Sequence, residues 1–196
     1  MELISNGSVW SARALNEAGL APVTIARAVR AGVIERVHWG AYRVHTQKDD
    51  SWAKAAKAMV RAPMGIICLE SAAYLQGISD FLPSALQVAI RNDRHPPKAG
   101  CPPIEVIRWP PGILFEKGIE TREVSGIAIR LTGPARTAID LLKHPSGQSA
   151  ITSMRCLREI IRRGTSFDEL TDLANELAAP LHVLTQLQVI RVWEDS

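Results

Sequence analysis

Cysteine, phosphate-binding glycine loops and long apolar runs are all scarce or missing from this chain of 196 residues. Its three cysteines, Cys68, Cys101 and Cys156, are odd in number and widely spread. That excludes both a disulfide framework and a zinc ribbon, so they read as reduced thiols. No apolar run approaches the ~20 residues that a membrane-spanning helix needs. The opening Met1-Glu2-Leu3-Ile4-Ser5-Asn6-Gly7 also lacks the basic and apolar regions of a secretory signal. The expectation is a cytoplasmic protein with no membrane partner. No Gly-x-x-x-x-Gly-Lys run occurs to cradle a phosphate, and Gly7-Ser8 is not followed by the carboxylate pair that nucleotidyl transfer would require.

What the chain has is 46% apolar and 22% charged residues, a composition able to bury a core. Its length fits one large domain or two modest ones, and the change of texture near residue 48 favours two, over 1–48 and 49–196. Net charge is only +3. Such a balance permits nucleic-acid binding without establishing it, so the positions of the charges matter more than the total. Residues 1–50 hold 6 Lys and Arg against 5 Asp and Glu, residues 51–145 hold 12 against 8, and residues 146–196 hold 5 against 7. The positive balance lies in the front and the middle.

The front reads as two short helices and a ribbon. Ser11 can cap a helix over residues 12–18 that stops at Gly19. Pro22 suits the first turn of a second helix, closed after Ala31 by Gly32. The intervening Gly19-Leu20-Ala21 is as short as a helix-turn-helix requires. Residues 33–44 then alternate around Gly40 as a hairpin. Helix, turn, helix, hairpin is the order of a winged helix. After a polar, acidic boundary at 47–51, a helix is expected over 52–62, a strand at 66–69 and a short helix at 70–76. Strands follow at 86–90, 104–108, 120–124 and 127–131, the last two joined as a hairpin through Ser125-Gly126. Helices are expected at 134–143, 150–163, 167–178 and 181–193. The fold class is therefore mixed α and β: a winged helix-turn-helix followed by an α+β domain with a helical tail.

The helix from Pro22 carries the chemistry. At 100° per residue, Ile25 and Val29 fall on one side, while Val23, Thr24, Arg27, Arg30 and Ala31 fan out on the other. A small and basic face is what a helix entering the major groove needs, because Arg donates two hydrogen bonds to guanine O6 and N7. The same arginines would also serve simply to solvate an amphipathic helix. On the hairpin, His38, Trp39 and Arg43 are placed to approach a minor groove or the sugar-phosphate backbone. Trp39 and Tyr42 would equally contribute buried area as packing residues. Arg13, on the first helix, is a candidate backbone clamp. His38 has no partner at metal-ligand spacing, so neither a metal nor a cofactor is assigned.

Catalysis finds weaker support. Glu116-Lys117, with Asp80, Asp93 and Glu105 upstream, is the nearest approach to a metal-dependent nuclease, and its spacing and Pro-rich surroundings do not suit one. No catalytic residue is assigned. Arg136 and Asp140, four apart in the helix beginning at Pro134, are expected to pair on the solvent side of a docking helix. Arg155, Arg158, Arg162 and Arg163 form a basic stretch that reads as a solvated face or a surface for an acidic partner or DNA.

Trp10 to Leu20, Arg30 to Val37 and Gly40-Ala41-Tyr42-Arg43 together resemble the N-terminal winged helix of AbiEi-type antitoxins. Leu69-Glu70-Ser71-Ala72-Ala73-Tyr74-Leu75-Gln76-Gly77-Ile78, then Gly118-Ile119, Val124-Ser125-Gly126-Ile127 and the helix of residues 134–142, resemble the C-terminal domain of the same family. The resemblance implies a DNA-binding antitoxin of a type IV toxin-antitoxin system. Such a protein represses its own operon by binding operator repeats in double-stranded DNA, and opposes an AbiEii-like nucleotidyltransferase toxin. A single winged helix of this modest charge should bind weakly, which implies two copies on DNA by self-association or by side-by-side loading. This chain departs from the family at Trp39, where an Arg often precedes the wing glycine, and in its helical tail. The alternatives are a protein-interaction module that does not bind DNA and a metal-dependent nuclease.

Overall fold

Local chemistry sets most of the element ends. The Ser11 hydroxyl accepts from the Ala14 N–H at 3.0 Å and so caps helix α1 (Ala12–Glu17). Pro22 opens α2 (Pro22–Arg30). The computed structural model describes residues 9–30, 33–44, 51–143 and 147–194. The expected helix end at Ala31-Gly32 and most of the polar boundary lie outside the described residues.

Strands β2 (Ile34–His38) and β3 (Ala41–Val44) form the expected hairpin. A strand that the sequence pattern did not reveal, β1 (Trp10–Ser11), pairs with β3 to complete a three-stranded sheet. Two residues carry too little alternation to be recognised as a strand. The apolar centre of this front unit is small: Leu15, Ile25 and Ile34 are buried, with Trp10, Val29 and Tyr42 packed around them.

The larger body is built on a five-stranded mixed sheet in the order β6-β5-β4-β8-β7. It comprises β4 (Ile66–Ile67), β5 (Leu86–Arg91), β6 (Ile104–Trp109), β7 (Ile119–Val124) and β8 (Ile127–Thr132). A single 3-10 turn at Ile113–Phe115 leads from β6 to β7. On one face Ile67, Val88, Ile129 and Leu131 pack with helix α3 (Ser51–Arg61). On the other, Ile66, Ala89, Ile107 and Trp109 meet Phe115. Helices α4 (Leu69–Leu75), α5 (Pro134–Lys143), α6 (Gly147–Arg162), α7 (Phe167–Glu176) and α8 (Leu181–Glu194) share a second core around Ile139, Leu157, Leu170 and Leu187. The expected helices and strands of this body are all present within a few residues of their predicted ends.

The front unit leans on the body. Val9 and Ala41 are fully buried in the same cluster as α3 and the five-stranded sheet. The Ser11 N–H donates to the Ser125 carbonyl at 2.9 Å, at the turn between β7 and β8. Ser125 and Gly126 both have positive φ, 51° and 74°, as a tight two-residue hairpin turn requires. Gly126 is needed for a second reason: a Cβ there would stand 2.6 Å from the Ala14 Cβ and 2.7 Å from the Ser11 Oγ. The close approach that seats α1 therefore depends on a missing side chain.

Arg136 corrects an expectation. It does not pair with Asp140 at the solvent side but is wholly buried, its Nε donating to Asp140 Oδ2 at 2.6 Å. Its Nη1 donates to the Lys117 carbonyl at 2.8 Å, and the guanidinium lies 4.5 Å from the centre of the Trp109 ring. Lys143 adds a second cation to Asp140 at 3.1 Å. Gly118, at φ 65°, lets the strand β7 entry pass close by, since a Cβ there would fall 2.7 Å from the Arg136 Cβ. Spacing alone shows that the two side chains can meet, but whether solvent reaches them is decided by the chain between β6 and β7.

Two stability predictions result. Arg136→Ala leaves the buried Asp140 carboxylate without its main partner and should cost about 3–5 kcal/mol, whereas replacing both members with apolar residues should recover much of that loss; urea unfolding at neutral pH measures both. Glu70, at the start of α4, has its carboxyl pushed above the usual range by burial, against a smaller opposing pull from the Thr152 hydroxyl. A carboxyl whose folded value is raised favours folding less once it ionises. Glu70→Gln should therefore raise the unfolding midpoint at pH 7, with the gain vanishing as pH falls below the ordinary ~4.3 of an unfolded Glu.

Candidate nucleic-acid interface

α2 is attached to the protein by one side. Ile25 is 4% exposed, and Ala28 and Val29 pack beside it against Leu15 and Ile34. The opposite side is open: Thr24, Ala26, Arg27 and Arg30 are exposed, and Val23 is 63% exposed. This is the division predicted from helical periodicity, except that Ala31 lies outside the described residues. The helix contains no acidic side chain, and among the described residues neither Arg27 nor Arg30 is held in an ion pair. Both guanidiniums are therefore available to an anionic partner. Arg13, on α1, is exposed and bound to Glu17 at 2.8 Å. A surface pair of this kind is screened and exchanges easily for a phosphate.

The hairpin places its residues less uniformly. Trp39 stands at the tip, 80% exposed, before Gly40 at φ 74°. The Arg36 guanidinium stacks over its ring at 3.8 Å from the centroid. The register shifts between Arg36 and His38, an irregularity that adds a residue on the β2 side of the tip. His38 is half-buried, with its Nδ1 enclosed and without a hydrogen-bond partner. Arg43 is occupied: it faces Glu35 directly across the ladder and is bonded to it, with only 18% of its side chain exposed. Tyr42 packs into the small core. Of the hairpin residues named from sequence, Trp39 is thus the one presented outward, and Arg36, which the sequence pattern did not single out, accompanies it. A cation three residues before a tryptophan at a hairpin tip is the signal that could have pointed to Arg36.

The structure does not assemble a catalytic centre around the nuclease candidates. Lys117 is paired with Glu176 at 3.0 Å, and among the described residues no group of three His, Cys, Asp or Glu side chains is placed to hold a metal ion. The described cysteines are unpaired; Cys68 and Cys156 are buried, and burial pushes the Cys156 thiol up to about 12. No helix among the described residues is long and apolar enough to cross a membrane.

The class that these features define is a mixed α and β protein with a small helix-helix-hairpin unit presenting a basic helix. Residues 1–45 match the family described as transcriptional regulator, AbiEi antitoxin, the family that the front segment resembles. Among solved structures, the fold is similar to the crystal structure of the RV2827C protein from Mycobacterium tuberculosis, with a TM-score of 0.56 at 15% identity, over 90% of this chain and 68% of that one. At that identity the likeness concerns the fold alone. No curated protein matches the chain.

The division of α2 into a packed and an open side predicts unequal effects on stability. Ile25→Ala should lower it by about 2–4 kcal/mol as a core truncation, while Arg27→Ala and Arg30→Ala should each stay within about 0.5 kcal/mol of the parent. Thermal unfolding followed by circular dichroism distinguishes the two; a large loss on either Arg substitution would show that its side chain holds the fold together.

Proposed function

We propose that the protein is a DNA-binding transcriptional regulator and the antitoxin of a type IV toxin-antitoxin system, with residues 1–48 acting as a winged helix-turn-helix and residues 49–196 as a separate α+β domain. The observation that carries the reading is the open face of α2, small and basic and free of acidic neighbours on the same helix. Thr24, Arg27 and Arg30 enter the major groove, where Arg reads guanine by paired hydrogen bonds and Val23 offers an apolar surface to a thymine methyl. Trp39 at the hairpin tip lies against the sugar-phosphate backbone of the adjoining minor groove. Arg13 exchanges Glu17 for a phosphate. His38 and Arg43 support the hairpin from within, since Arg43 is already engaged by Glu35.

The match over residues 1–45 to a family of AbiEi antitoxin regulators supports the regulatory role. In this reading the protein acts in the cytoplasm, represses its own operon from operator repeats and counteracts a nucleotidyltransferase-like toxin. Two copies load on the repeats, because one short helix and one hairpin make a small interface. The reading requires no cofactor, metal or catalytic step.

The test is a fluorescence-anisotropy titration of the full chain against the DNA upstream of its own reading frame, at several salt concentrations. The parent should bind with a steep salt dependence. Arg27→Ala with Arg30→Ala should weaken binding and lower the salt slope by about 1 for each phosphate that is no longer neutralised, or relax sequence preference by about 1–3 kcal/mol for each base that is no longer read. Equal affinity of parent and double variant at low and moderate salt would remove α2 from the interface.

A further inference from the structure

A groove of about 1050 Å3 lies along α6, bordered by Ile190 of α8, on the helical layer and outside the front unit. One wall is apolar, formed by Met154 and Ile161 of α6 and Ile190 of α8, with Ile151 at its edge. Ile151 is 54% exposed and Met154 46%. Beside it on the same helix is a cationic row: Arg155, Arg158 and Arg162, three and four residues apart along α6.

That row is poorly neutralised within the chain. Arg162 shares the single carboxylate of Glu159 with Arg163, Arg155 reaches only the exposed Asp80 at 3.8 Å, and Arg158 makes no ion pair among the described residues. The outer side of α8 is mixed, with Thr185, Gln186 and Gln188 exposed among apolar side chains. Val183 and Leu187 are buried beneath it, yet Leu181, Val189 and Val192 are also exposed, at 78%, 51% and 66%.

The pattern selects the occupant by charge. DNA suits the arginines but gives the isoleucine and methionine wall nothing to bury against. A second copy docked through a two-fold axis would set one arginine row against the other, since the same patch meets itself. We infer that the groove binds an acidic amphipathic helix of a partner protein, its apolar stripe on Met154, Ile161 and Ile190 and its carboxylates along Arg155, Arg158 and Arg162. This is helix-in-groove recognition with a charged flank. It stands apart from the DNA reading, because no residue of the front unit takes part.

The test uses the full chain and a fluorescein-labelled helical peptide of about 16 residues, matching the ~24 Å length of α6. The peptide carries leucines on one stripe and glutamates on one flank, and a second version carries lysines in place of the glutamates. The acidic peptide should bind and the basic one should not. Arg158→Glu should weaken the acidic peptide by about tenfold or more and admit the basic one, a charge swap that a merely structural arginine would not produce. Ile151→Asp should also weaken the acidic peptide while leaving the unfolding midpoint and DNA titration unchanged, and Arg158→Ala provides an intermediate loss. Equal binding of both peptides, or of neither, overturns the proposal. So does sedimentation equilibrium that finds a dimer of the parent and a monomer of Ile151→Asp, because the groove would then be an interface between copies.

Discussion

The front unit has a small apolar centre of its own and packs part of its surface into the core of the body, and this constraint shapes the molecule. Among the described residues, two short helices and three short strands bury Leu15, Ile25 and Ile34 in their own centre. Units this small hold together by borrowing a neighbour's core. Here Val9 and Ala41 reach into the cluster of α3 and the large sheet, and α1 sits on the turn at Ser125-Gly126. The borrowing uses α1, β1 and β3. It leaves the outer side of α2 untouched, so the same junction that stabilises the unit also fixes which of its surfaces remains open.

Buried polar groups organise the body in the same economical way. Arg136 joins α5 to the segment after β6 through the Lys117 carbonyl, to its own helix through Asp140 and to β6 through Trp109. Thr132 and Thr137 share a hydrogen bond at 2.7 Å across the β8–α5 junction, and Gln76 donates to the Thr132 carbonyl. These interactions lock the helical layer to the end of β8. Apolar packing alone would leave the angle between sheet and helices less specified, because hydrophobic contact has no direction.

The outer surfaces divide by chemistry. On α2 the exposed groups are small or cationic, which suits a polyanion. On α6 and α8 cations border an apolar wall, which suits a partner that has both carboxylates and an apolar stripe. The arginines of α2 and those of α6 would be indistinguishable by counting charge. Their neighbours separate them: Ala26 and Thr24 in one case, Met154 and Ile190 in the other.

The amino-acid order by itself determined the elements other than β1 and the outward face of α2, since helical and strand periods, Pro22, the Ser11 cap and the Ser125-Gly126 turn act over a few residues. It also exposed the resemblance of the front segment to AbiEi antitoxins. It did not determine which charged side chains would be free. Arg43 is captured by a residue eight positions away on the neighbouring strand, Arg136 is enclosed by a crossover nearly twenty residues earlier, and Arg36 gains its tryptophan only through the curl of a hairpin tip. The groove along α6 likewise exists only once Ile190 of α8, nearly thirty positions beyond Ile161, comes to border it. Tertiary structure decided these points because burial and ion pairing depend on distance in space, whereas periodicity records only distance along the chain.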